Sequence, residues 1–100
     1  MNGNIQVLMK QAQKMQKDMM NAKKEIDNTV YEGKSSLVKV KVRGNKELQE
    51  VIIDADSLEK DDIEMLQDMI VVAFNEDHRQ IDKDTEQKMG KYTQGMPGLF

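Results

Sequence analysis

Val38-Lys39-Val40-Lys41-Val42-Arg43, followed by Gly44-Asn45, is the stretch on which the architecture of this chain turns. Valine alternates strictly with a basic residue, so one face of the strand is buried and the other meets water. Gly44-Asn45 is a hairpin signal, and a further strand follows from about Leu48 to Asp54, with Val51, Ile52 and Ile53 as its apolar content. Upstream, Thr29-Val30-Tyr31-Glu32 is β-prone, and Gly33-Lys34-Ser35-Ser36 reads as the turn that joins it to the central strand. The middle of the chain is therefore an antiparallel three-stranded meander with one covered face.

Helices flank it on both sides. From about Asn4 to Asp27, apolar residues stand at Ile5, Leu8, Ala12, Met15, Met19, Ala22 and Ile26. Their alternating steps of three and four are a heptad seam held over about three repeats. Such a seam packs along another long helix, in this chain or in a partner, and these seven residues are the candidate dimer interface. With Ile5 as position a, Lys10, Lys17 and Lys24 fall at f and Lys14 at c, all on the outward side. Asp18 and Glu25 fall at g beside the seam, which leaves the outer stripe purely positive.

The second helix starts near Asp61, read as its N-cap with Glu64 completing a capping box. Ile63, Leu66, Met69, Ile70, Ala73 and Phe74 form its apolar stripe. Past Asn75 the pattern gives way to His78, Arg79, Asp82, Lys83, Asp84 and Glu86, so this half is expected to stand in solvent or to need a partner. Met89-Gly90 reads as its end, with Gly90 as C-cap. The expected organisation is one α+β domain over residues 1–90, of α-β-β-β-α order, and a flexible tail over 91–100. The surplus apolar seam predicts a dimer.

A chain of 100 residues has room for one core, and with 33% charged and 4% aromatic residues that core is lean. Small chains of this kind gain stability by association. The net charge of -3 hides an asymmetry: residues 1–46 carry 10 Lys and Arg against 4 Asp and Glu, and residues 47–100 carry 5 against 14. The basic half points to a polyanion, and the acidic half to a protein partner or to neutralisation across the fold.

Reactive chemistry finds little footing. There is no cysteine for a disulfide or a thiolate nucleophile, which fits a reducing cytoplasm, and His78 is the only histidine. The run Asp54, Asp56, Glu59, Asp61, Asp62 lacks the glycine of a calcium loop and reads as helix-entry carboxylates. The longest apolar run, Met69 to Phe74, is far short of a membrane span, and the N-terminus lacks the apolar stretch of a signal peptide. The nine methionines read as core filling or an adaptable interface. No enzyme activity, metal, cofactor, membrane contact or small-molecule substrate is expected. The basic candidates for nucleic acid are Lys10, Lys14, Lys17 and Lys24, then Lys39, Lys41 and Arg43. No zinc finger, short helix-turn-helix or basic zipper is present, so contact with DNA would be mainly to phosphate.

A resemblance joins these pieces. Gly3-Asn4 with Leu8-Met9-Lys10-Gln11-Ala12-Gln13-Lys14-Met15-Gln16 resembles the opening of the YbaB/EbfC family of bacterial nucleoid-associated proteins. The likeness continues through Leu37-Val38-Lys39-Val40, Gly44, Val51-Ile52-Ile53-Asp54 and Asp62-Ile63-Glu64-Met65-Leu66-Gln67-Asp68. It closes at Asn75, Met89-Gly90, Thr93 and Gly95-Met96-Pro97-Gly98-Leu99. The resemblance implies a homodimer of α-β-β-β-α protomers in the bacterial cytoplasm, associated with the nucleoid. It also implies that the protein binds DNA through projecting terminal helices and influences nucleoid organisation or gene expression. The alternative reading is a protein-interaction adaptor that uses the acidic second helix or the tail.

Overall fold

The structure, a computed structural model, describes residues 2–93. Helix α1 (Asn2–Asn28) leads into strands β1 (Val30–Ser35), β2 (Val38–Arg43) and β3 (Leu48–Ile53). A 3-10 turn (Lys60–Asp62) then opens the long helix α2 (Ile63–Thr93). The sheet is an antiparallel meander in the order β1-β2-β3. The fold is α+β, with one layer of helix on one face of a sheet.

The alternation in β2 does what its chemistry demands. Val38, Val40 and Val42 are fully buried, and they form the core with Ala73 and Ile81 of α2. Tyr31, Leu66, Met69, Ile70 and Phe74 pack around them. Lys39, Lys41 and Arg43 project from the other face. A register shift between Lys41 and Val42 lets Val42 pair with Leu48 while Lys41 pairs with Glu50.

Four local expectations are corrected. Gly33-Lys34-Ser35 belongs to β1, with Lys34 paired to Lys39 and Ser35 to Val38, and the hairpin closes on Ser36-Leu37. Ser36 takes the left-handed backbone conformation, with φ 50. Gly33 lacks a side chain for a different reason: a Cβ there would stand 2.1 Å from the Ala73 carbonyl oxygen. The glycine lets α2 lie directly on the sheet, so its composition signals close approach and not a turn.

The cap of α2 lies two residues earlier than expected. The Asp62 carboxylate accepts from the Glu59 N–H at 3.0 Å, and the Asp62 N–H donates to the Glu59 carbonyl at 3.0 Å. Glu59, not Asp61, is the N-cap, because the chain enters through a 3-10 turn. At the other end α2 runs through Gly90 to Thr93. Met89 is buried beside it, and this packing outweighs the roughly 1 kcal/mol that glycine costs a helix. Residues 91–93 of the expected tail are thus helical, and the rest of it lies outside the described residues.

The second half of α2 is not left to solvent. Ile81 and Met89 are buried within the chain, and Asp77 occupies the helix position between Ala73 and Ile81 that faces the sheet. A carboxylate at a core position broke the apolar period. Beyond the sheet this half of α2 pairs with α1, forming an arm that extends the molecule to 75 × 21 × 14 Å. Ile26 anchors α1 at the sheet, where a Cβ on Gly44 would lie 1.8 Å from the Ile26 carbonyl oxygen.

Candidate nucleic-acid interface

Helix α1 presents Lys10, Lys14, Lys17 and Lys24 at the surface of the arm, and all four are exposed. Over the 14 steps from Lys10 to Lys24 the stripe covers about 21 Å, some two thirds of a turn of duplex DNA. Among the described residues none of the four forms an ion pair. Lys23, which lies off the stripe, pairs with Asp27 at 3.1 Å. Four solvated ammonium groups on a rigid rod form a surface whose counter-charge must come from elsewhere.

Lys14 has company that the sequence did not signal. It lines an open groove with Gln11, Met15 and Asp18 of α1 and with Lys91 and Tyr92 of α2. The Lys91 ammonium sits 5.0 Å from the centre of the Tyr92 ring. Lys91 fell within the expected tail, and only the antiparallel pairing of the two helices brings it to the stripe.

The basic face of the sheet differs. Lys39 lies 3.9 Å from Glu32, and Lys41 lies 3.9 Å from Glu32 and 3.8 Å from Glu50. The register puts Glu32 and Glu50 directly opposite Lys41 on the two neighbouring strands. Such loose, exposed pairs add little stability, yet they cancel the field that a phosphate would meet. Arg43 is half-buried, and its Nε is enclosed without a hydrogen-bond partner.

The heptad seam divides in two. Ile26 is buried within the chain, and Met19 and Ala22 are partly covered there. Ile5, Leu8, Ala12 and Met15 remain exposed, Leu8 at 63%. Contacts near the sheet hold the arm in place: the Tyr31 hydroxyl donates to Asp84, Lys46 pairs with Asp82 at 2.5 Å, and the Gln80 side-chain amide donates to the Glu32 carbonyl at 2.9 Å. Burial and the Asp84 carboxylate raise Tyr31 above the usual phenol range. The same hydroxyl, with Lys88, holds Asp84 below the usual carboxylate range against its partial burial.

Asp77 is the one fully buried charged side chain among the described residues, and neither of its carboxylate oxygens has a well-formed hydrogen bond. Burial pushes its carboxyl up to about 6. The backbone groups of Gly33 and Val42 oppose that rise, and Glu32 and Glu76 add to it. His78 packs against Phe74 with ring centres 4.2 Å apart and the planes tilted by 42°. Among the described residues no cluster of three or more His, Cys, Asp or Glu has the arrangement of a metal site, and no helix is long and apolar enough to cross a membrane.

An α-β-β-β-α chain with lysines free of ion pairs along its projecting helix offers a polyanion an open basic surface. Residues 1–96 match the YbaB/EbfC DNA-binding family, and the chain belongs to it. It is 47% identical over 96 residues to a nucleoid-associated protein of Lactococcus lactis subsp. cremoris, covering 94% of this chain and 97% of that one. A nucleoid-associated protein of Oceanobacillus iheyensis is 44% identical over the full length of both chains. One from Enterococcus faecalis is 40% identical, over 97% of this chain and 95% of its own.

Proposed function

We propose that this chain is a homodimeric nucleoid-associated protein that grips DNA through its backbone phosphates, with α1 as the contacting element. In this reading it resides at the nucleoid in the bacterial cytoplasm and acts in nucleoid organisation or gene regulation. The observation that carries it is the contrast in pairing: among the described residues Lys10, Lys14, Lys17 and Lys24 form no ion pair, whereas Lys39 and Lys41 do. Lys91 joins the stripe at the groove, and Lys39, Lys41 and Arg43 take a secondary part. Ile5, Leu8, Ala12 and Met15 are the portion of the seam still open to a second copy.

The relatives named as nucleoid-associated support this assignment over the adaptor reading. So does the use of Asp82 and Asp84 within the protomer, which leaves the acidic second half of α2 less free for a partner. The test is DNA affinity by fluorescence anisotropy over a salt series, with duplexes of unrelated sequence. Eight lysines from two copies predict that log affinity falls with log salt at a slope of about 7, with similar affinity for every duplex. No binding at low salt would remove DNA as the ligand.

A further inference from the structure

The apolar stripe of α1 changes its surroundings along its length. Near the sheet Ile26 is buried and Met19 and Ala22 are partly covered, because α2 runs back along α1 there. The last turn of α2 reaches the level of Gln11, Lys14, Met15 and Asp18, where Lys91 and Tyr92 stand beside them. Beyond that level the same stripe continues with no helix alongside it among the described residues. Ile5 is left 59% exposed, and Leu8 and Met9 are exposed with it. An uncovered helix end of this length frays, since helical stability in water comes mainly from packing of the apolar face.

We infer that residues 94–100 cover this tip, running on from Thr93 along α1 toward its N-terminus so that Met96 and Leu99 pack on Ile5, Leu8 and Ala12. The inference rests on neither the DNA reading nor the homodimer. Position and length fit: α2 ends at Thr93 on the stripe's own side of α1, heading for the tip. Ile5 lies about 9 Å beyond Gln11 along the helix, and the seven residues of 94–100 span up to about 23 Å. Composition fits as well. Gln94-Gly95-Met96-Pro97-Gly98-Leu99-Phe100 carries no charged side chain, and Pro97 turns Met96 away from helix toward the extended backbone in which a short strap reaches furthest. A second copy suits the tip less well. The stripe from Ile5 to Met15 spans about one and a half heptads, short of the three to four or so that sustain a coiled coil between chains. A tethered segment instead acts at an effective concentration on the order of millimolar, without the entropy cost of joining two molecules. Covered in this way, the tip holds Lys10 and Lys14 outward on a helix that no longer frays.

The chain has no cysteine, so paired substitutions in the full chain report one contact at a time. Leu8→Cys with Leu99→Cys, equilibrated in a glutathione redox buffer, is expected to form an intramolecular disulfide, monomer-sized on a non-reducing gel. Gln13→Cys with Leu99→Cys sets the first thiol on the outer face of α1 and is expected to oxidise about tenfold less. Free thiols in the first pair, equal oxidation of both pairs, or dimer-sized products overturn the inference, the last by giving the stripe to a second copy. Hydrogen exchange supplies a second readout. Met96→Asp with Leu99→Asp is expected to speed exchange of the amides from Ile5 to Ala12 about tenfold and to leave those from Met19 to Ile26 unchanged. Unchanged exchange at the tip, or protection there that fades as the parent protein is diluted, overturns the proposal.

Discussion

Two regions of this molecule carry closely spaced basic residues, and they differ in what stands beside them. On α1 the lysines occupy the outside of a helix whose acids lie off the stripe. On β2 they alternate with core valines, and the neighbouring strands bring Glu32 and Glu50 to within 3.9 Å. A strand inside a sheet has two neighbours fixed by register, so its charges are readily compensated. A projecting helix has one neighbour and an open side. The same residue type is therefore solubilising in one place and available for a polyanion in the other.

Charge reversal is the most direct way to break that comparison. Lys10→Glu, Lys14→Glu and Lys17→Glu together are expected to lower DNA affinity about a thousandfold, some 4 kcal/mol, at low salt. The unfolding midpoint should scarcely move, since none of the three forms an ion pair among the described residues. Equal affinity for the variant and the parent would take α1 out of the interface.

The converse holds where the sheet meets the helices. Gly33→Ala places a Cβ against the Ala73 carbonyl and the Asp77 backbone, and α2 must shift to admit it. A loss of about 3 kcal/mol in urea unfolding is expected, with DNA affinity little changed while the protein remains folded. A fall in affinity as large as that of the lysine variants would show that the two regions are not separable.

Asp77 sharpens the same division through pH. Its carboxyl keeps a proton in the folded protein up to about pH 6 but loses it near 3.8 when unfolded. Between those values the folded state binds more protons, so this group's contribution makes stability fall as pH rises from about 4 to 6. Asp77→Asn removes the effect and is expected to gain up to about 3 kcal/mol at neutral pH relative to the parent. Parallel stability profiles for the two proteins between pH 4 and 7 would contradict this.

The smallest change belongs to the sheet's outer face. Lys39→Ala with Lys41→Ala is expected to weaken DNA binding by less than about threefold, because both charges are already compensated. A loss comparable to that of the α1 variants would erase the contrast between the two regions.

Much of this architecture was legible in the residues. Val38 to Arg43 is a strand with the limits its alternation predicts, and both helices lie over the spans their spacing marks, although the ends of α2 differ. The failures share a cause, which is that tertiary contact outweighed local chemistry. Gly33 and Gly90 are turn-formers by composition, but one admits a helix against a sheet and the other lies within a packed helix. Asp77 is charged and sits in the core, so a periodicity search stops at the residue that continues the pattern. The exposed lysines of α1 could be named from spacing alone. That Lys39 and Lys41 are compensated depends on strand register, and that Lys91 joins Lys14 depends on helix pairing.

The anchoring of α1 at Ile26 and Gly44 makes the helix a lever. From that fulcrum to its first residues it extends about 36 Å, and a tilt of about 10° swings the tip through about 6 Å. That is nearly two of the 3.4 Å steps between successive base pairs of duplex DNA. On the proposed DNA reading, small adjustments where the arm leaves the sheet, near the contacts of Tyr31 with Asp84 and Lys46 with Asp82, would set which phosphates the far lysines reach.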